Sequence, residues 1–80
     1  MTMEPVEVTA RFDAHGIITP LHFTWKGGSY HVESTGRRWQ DETGQHILVM
    51  VSNGHIYELT FKSEEGRWYL QQAGSKHRVV

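Results

Sequence analysis

Eighty residues with a net charge of −1, histidine counted neutral, form one domain and offer no electrostatic case for a polyanion or an anionic membrane. No cysteine is present, which excludes disulfides and thiolate metal sites. The longest apolar run, Ile47-Leu48-Val49-Met50-Val51, is far too short to span a bilayer. Met1-Thr2-Met3-Glu4-Pro5 lacks the basic-then-apolar order of a secretory signal, so a cytoplasmic setting is expected. A chain this short buries roughly 60–65% of its unfolded surface, so its core must rest on three Trp, three Tyr and three Phe.

Val6, Val8, Ala10 and Phe12 alternate with Glu7, Thr9, Arg11 and Asp13, the period of a strand with one wet face. A four-residue turn, Asp13-Ala14-His15-Gly16, would pair Phe12 with Ile17 and set Ala10 opposite Thr19. The second strand runs from Ile17 to Trp25 with Leu21, Phe23 and Trp25 on one face. Pro20 cannot donate a ladder hydrogen bond, so a bulge or an unpaired amide position is expected there. Gly27-Gly28 suits a two-residue hairpin loop, which faces Trp25 with Tyr30, Phe23 with Val32, and His22 with Glu33 on the outer side.

The third strand is interrupted by Ser34-Thr35-Gly36 and resumes at Arg37-Arg38-Trp39-Gln40. Gly36 reads as a bend in one long strand whose halves pair with different neighbours, a device by which small barrels turn corners. The turn Asp41-Glu42-Thr43-Gly44 sets Gln40 against Gln45 and Trp39 against His46. Strands four and five are His46 to Val51 and His55 to Lys62. A type I′ turn at Asn53-Gly54 would put Leu48 and Met50 on the face of Tyr57, Leu59 and Phe61. A three-residue loop, Ser52-Asn53-Gly54, puts Ile47, Val49 and Val51 there. The second gathers more β-branched residues into one core and is preferred. It leaves Leu48, Met50 and Ile56 on the other face, where an apolar surplus marks either a partner surface or a face covered by the bent strand or the tail. After Ser63-Glu64-Glu65-Gly66, strand six, Arg67 to Gln71, faces Phe61 with Trp68 and Leu59 with Leu70. The expectation is an all-β domain over residues 1–73, a six-stranded antiparallel meander rolled into a small barrel or half-barrel. Residues 74–80 show no periodicity and are expected to form a mobile tail.

Catalytic signals are absent: there is no Cys nucleophile, no Gly-x-Ser-x-Gly elbow, no phosphate-cradling loop and no acid pair in a buried position. Arg37, Arg38 and Trp39 are the leading contact residues. Two guanidinium groups beside an indole can grip an acidic peptide, or grip phosphates and stack a base. The competing structural reading has Trp39 capping one end of the barrel while the arginines balance Asp41 and Glu42. His22, His31 and Glu33 share an outer face and have the chemistry of a zinc or iron(II) site, although polar residues on a wet face need no special reason. His46 and His55 belong to another hairpin and His15 to a turn.

Phe23, Trp25, Gly27, Tyr30 and Val32 form a Phe-x-Trp-x-Gly-x-x-Tyr-x-Val pattern, and Gly66, Trp68, Tyr69 and Leu70 form Gly-x-Trp-Tyr-Leu. Together these resemble a small bacterial domain of unknown function, free-standing or near the carboxyl end of ImuB-like proteins, which are related to Y-family DNA polymerases. The resemblance spans roughly residues 17 to 72. It implies a bacterial cytosolic setting and a link to DNA-repair complexes, and it supplies no catalytic residues. The matched positions are core and turn positions, so it speaks for fold more than activity. The expected function is a non-enzymatic binding or adaptor module without cofactor, contacting a protein partner through Arg37, Arg38 and Trp39. A single-stranded nucleic-acid binder using the same residues is the alternative, and a His22–His31–Glu33 metal site the third.

Overall fold

The computed structural model describes residues 3–75. Its elements are β1 (Glu4–Phe12), β2 (Ile18–Trp25), β3 (Gly28–Asp41), β4 (Gly44–Val51), β5 (His55–Lys62) and β6 (Arg67–Ser75). All neighbours are antiparallel, and the six strands form a closed barrel in chain order. Closure is made by β1 against β6, with Glu4 opposite Leu70 and Val6 opposite Trp68. The meander therefore closes fully, which removes most of its sheet edges.

Two strands turn the corners. β1 pairs with β6 through Glu4–Val6 and with β2 from Glu7 onward. β3 pairs with β2 only over Gly28–His31 and with β4 from Val32 to Asp41. The long third strand thus serves two neighbours as expected, but it changes partner at His31–Val32 and not at Gly36, which lies within the β4 ladder. Its ladder with β4 is irregular between Val32 and Ser34 and again between Thr35 and Arg38. In the second irregularity Gly36 and Arg37 together oppose Leu48, the two-against-one count of a bulge.

Ile18, Phe23, Ile47, Val49, Val51, Tyr57, Leu59, Trp68 and Leu70 fill the interior. Phe23 stacks on Tyr30 at 5.2 Å, and Tyr57 meets both Phe23 and Trp25 edge-on at 5.6 Å. The β4–β5 register matches the three-residue loop: Val49 opposes Tyr57 and Ile47 opposes Leu59. Phe61 opposes Trp68, and Leu59 opposes Leu70.

Four more expectations need correction. Asp13 Oδ1 accepts the amides of His15 and Ile17, at 2.8 and 2.9 Å, and the Asp13 amide donates to the Ile17 carbonyl. This side-chain-stabilised turn pairs Phe12 with Ile18 and Ala10 with Pro20, one residue from the expected register. Ile18 is buried and Ile17 exposed. The bulge expected at Pro20 does occur, but the residue left out of the ladder is Leu21, between the pairs Thr9–His22 and Ala10–Pro20. Inward positions therefore run Ile18, Pro20, then Phe23, and Leu21 points to solvent instead of joining the Phe23 face.

The β2–β3 turn is Lys26-Gly27, at φ 50° and 77°, so both central residues take the positive φ that a type I′ hairpin needs. Phe23 consequently faces Tyr30, and His22 faces His31, not Glu33. Gly28 serves packing: a Cβ there would lie 3.2 Å from the Tyr30 ring. Finally, β6 continues past Gln71 to Ser75, with Gly74 opposite Ile56 and Ser75 opposite His55. The rest of the expected tail, residues 76–80, lies outside the described residues.

Candidate functional site

Strand alternation places His46, Leu48 and Met50 on the opposite face of β4 from the core residues Ile47, Val49 and Val51. The pairing register then builds an outer surface in rows. Trp39, His46, Thr60 and Tyr69 form the first. The Gly36–Arg37 bulge, Leu48, Glu58 and Gln71 form the second. Ser34, Met50 and Ile56 lie in the third. The Arg37–Trp39 bend and the Leu48–Met50–Ile56 surplus, two separate candidates in the sequence, are one continuous surface.

The three expected contact residues have different roles. Trp39 does not cap the barrel. It lies on the outer face, its ring stacked on His46 at 5.0 Å with 9° between planes. The Arg37 guanidinium sits 4.9 Å from the Trp39 ring centroid, a cation–π arrangement. Arg38 projects from the other side of β3 and donates from Nη1 to the Ile18 carbonyl at 2.6 Å. It bridges the seam where β2 and β3 part. Neither arginine balances Asp41 or Glu42, because the ion pairs among the described residues are both made by His46.

His46 is the organising group that the sequence reading passed over. Although on the outer face, it is only 5% exposed. Its Nε2 lies 2.9 Å from Asp41 Oδ1 and 2.9 Å from Thr43 Oγ1, and its Nδ1 lies 2.8 Å from Glu58 Oε2 and 2.9 Å from Thr60 Oγ1. Glu58 also accepts from Gln71 Nε2 at 3.2 Å. The ring ties the β3–β4 turn to β5 and, by stacking, fixes the plane of Trp39. No buried side-chain polar atom among the described residues lacks a partner, so the network is complete in itself, as buried polar networks must be. The Asp41 carboxyl is held down at about 2 by hydrogen bonds from the Thr43 hydroxyl, from His46 and from the Thr43 amide. The signal for this cluster was legible: Trp39 opposite His46 in the expected register, with Asp41 and Thr43 in the adjoining turn.

Below this network, Ser34, Thr35, Gly36, Leu48, Met50 and Ile56 enclose a depression of about 220 Å³. A larger cleft of about 540 Å³ shares no residue with it and lies where β1 turns its corner beside Trp25, Lys26, Arg67 and Trp68. That cleft is wide open and mixes Glu7 with its cations, so it has no single-sign chemistry to offer a ligand. His22 and His31 stand opposite each other across the β2–β3 ladder, yet no group of three His, Cys, Asp or Glu among the described residues is arranged to hold a metal ion. Among the same residues, no helix is long and apolar enough to cross a membrane. No family model, curated protein or solved structure matches the chain.

Proposed function

We infer that this is a non-enzymatic binding module. Its contact surface is the Arg37, Arg38, Trp39 bend, and its partner is an extended segment of another protein. The observation that carries this reading is the one-sided pairing of β3. Beyond His31 the strand bonds to β4 on one edge, while the edge toward β2 has no ladder partner among the described residues. An incoming strand gains main-chain hydrogen bonds along such an edge, and side chains beside it supply selectivity. Arg38 spans the seam through the Ile18 carbonyl, so an added strand exchanges that one bond for several.

The single-stranded nucleic-acid alternative uses the same residues, but Trp39 already holds Arg37 and His46 against its ring. Stacking a base there costs at least the Arg37 contact, which favours the protein partner. The resemblance to the ImuB-associated domain makes proteins of bacterial repair complexes, in the cytoplasm, the first partners to try.

Randomised displayed peptides selected on the full chain test the reading, with binding mapped by amide resonances. Enriched peptides should shift amides of residues 33–41. Enrichment that maps elsewhere, or none at all, refutes it. A short single-stranded oligonucleotide added at low salt should leave the Arg37 and Arg38 amides and all three indoles unmoved. Saturable shifts centred on Trp39 that vanish at high salt would install nucleic-acid binding in its place.

A further inference from the structure

We propose that the depression beside Gly36 is the specificity pocket of this contact surface. It takes one aliphatic side chain of an extended protein segment whose carboxylate, two residues along, pairs with Arg37. This rests on the binding-module reading and names the partner's chemistry.

Gly36 is the first support. Its φ is not in the left-handed region, and a Cβ built on it would come no closer than 3.9 Å to any atom, the nearest belonging to Leu48. Neither backbone strain nor crowding calls for glycine here. What the missing side chain does is leave Leu48 half-buried and reachable at the centre of an apolar floor completed by Met50 and Ile56. The flanking irregularities of β3, between Val32 and Ser34 and between Thr35 and Arg38, shape the rim, as bulges do where a strand must present a site.

Size is the second support. About 220 Å³ falls below the roughly 300–1,000 Å³ of pockets that hold a free small molecule, and suits a side chain delivered by a backbone held elsewhere. A backbone on the unladdered edge of β3 has that strand between it and the floor, so its side chain reaches Leu48 only across Gly36, which has no side chain to block the way.

Charge is the third. Arg37 follows Gly36 directly, its guanidinium turned toward Trp39, and it makes none of the ion pairs found among the described residues. In an extended segment, side chains two residues apart share a face at roughly 6.6–6.8 Å. An aliphatic anchor laid across Gly36 against Leu48 therefore carries its second neighbour, on the same face, to the Arg37 end of the rim. A carboxylate there meets a planar guanidinium, which is more weakly hydrated than an ammonium and matches a carboxylate with two hydrogen bonds.

The test compares peptide selection on the wild-type chain with selection on Arg37→Glu and Gly36→Val. Wild type should enrich an aliphatic residue two positions from Asp or Glu. Arg37→Glu should keep the aliphatic residue and exchange the acid for Lys or Arg. Gly36→Val should weaken the wild-type-selected peptides at least tenfold while the Trp39 indole resonance stays in place. If that resonance moves, Leu48→Ser, which removes the floor without touching β3, replaces it and should show the same loss. Peptides that shift residues 33–41 without the aliphatic–acid pair, or that bind all variants equally, refute the pocket and leave the binding-module reading standing. Peptides that map elsewhere refute both. Two other occupants would also overturn the pocket: a second copy, seen as concentration-dependent broadening of Leu48, Met50 and Ile56 without peptide, or the chain's own residues 76–80, seen as shifts of those side chains when that segment is deleted.

Discussion

The barrel has a regular half and an irregular one. From Gln45 through β5 into β6 the ladders run without a break as far as Tyr57, and alternate residues enter the core. β3, facing the same β4, slips register twice and leaves one edge without a ladder. The difference separates the work of the two halves. Uninterrupted pairing with a strict period of two packs side chains and holds the fold together. Broken pairing costs stability and exposes groups that packed strands hide, here a guanidinium on an indole, a half-buried Leu48 and free main chain. The price of the second half is borne by the first.

That division can be broken most forcefully in the regular half. Leu59 is fully buried, and Leu59→Ala should cost about 2–5 kcal/mol. A domain of this size is stable by only on the order of 5–10 kcal/mol, so a urea unfolding curve should show the loss directly. Gly44→Ala comes next. Gly44 sits at φ 139°, and a Cβ would fall 2.6 Å from the Phe61 carbonyl oxygen. The backbone must move, at about 1–3 kcal/mol, and the β4–β5 amides should report it.

His46 joins the halves. His46→Ala removes the partner of Glu58 and the support of Trp39. It should cost about 1–3 kcal/mol through unsatisfied polar groups, and it should move the Trp39 indole resonance. A stability loss with an unmoved indole would mean that the stack does not position Trp39. The acid side offers a finer reading. Asp41 is held at about 2 against an ordinary 3.8. Its contribution is complete above the unfolded value, near pH 4, and is lost as pH falls through the folded value. Asp41→Asn should flatten the pH dependence of the unfolding midpoint between about pH 4 and 2. Because Asp41 is open to solvent, that effect should be small. Smallest of all, Arg37→Ala should change stability by no more than about 0.5 kcal/mol, in keeping with a residue placed for contact and not for the fold.

Much of the regular half could be read from the chain. Ile47, Val49 and Val51 against Tyr57, Leu59 and Phe61 favour the three-residue loop at Ser52-Asn53-Gly54, because it gathers more β-branched residues into the core than the Leu48 and Met50 alternative does. The first two hairpins were less legible. Asp13 closes its own turn with a side-chain oxygen, and Lys26 takes a conformation usually left to Asn or Gly, so residue type made the first turn one residue too short and set the second one position too late. Leu21 looked inward because Pro20 marks a bulge without telling which residue leaves the ladder. The site divided in the same way. Arg37, Arg38 and Trp39 were legible as an unusual cluster, but their separate tasks were not, since the bulge at Gly36 and Arg37 decides which side of β3 each one takes. His46 was passed over because a histidine on an outward position normally meets water, and only the packing of Trp39, Glu58 and Thr60 around it removes that water.

The open edge of β3 is the feature on which the functional reading depends, and amide hydrogen exchange followed by NMR tests it most directly. Amides throughout β4 and β5 should be protected. In β3 beyond His31, protection should alternate, with amides facing β4 slow and those facing the seam fast. Uniform slow exchange along Glu33–Asp41 would mean that the edge is already occupied, and it would contradict the account.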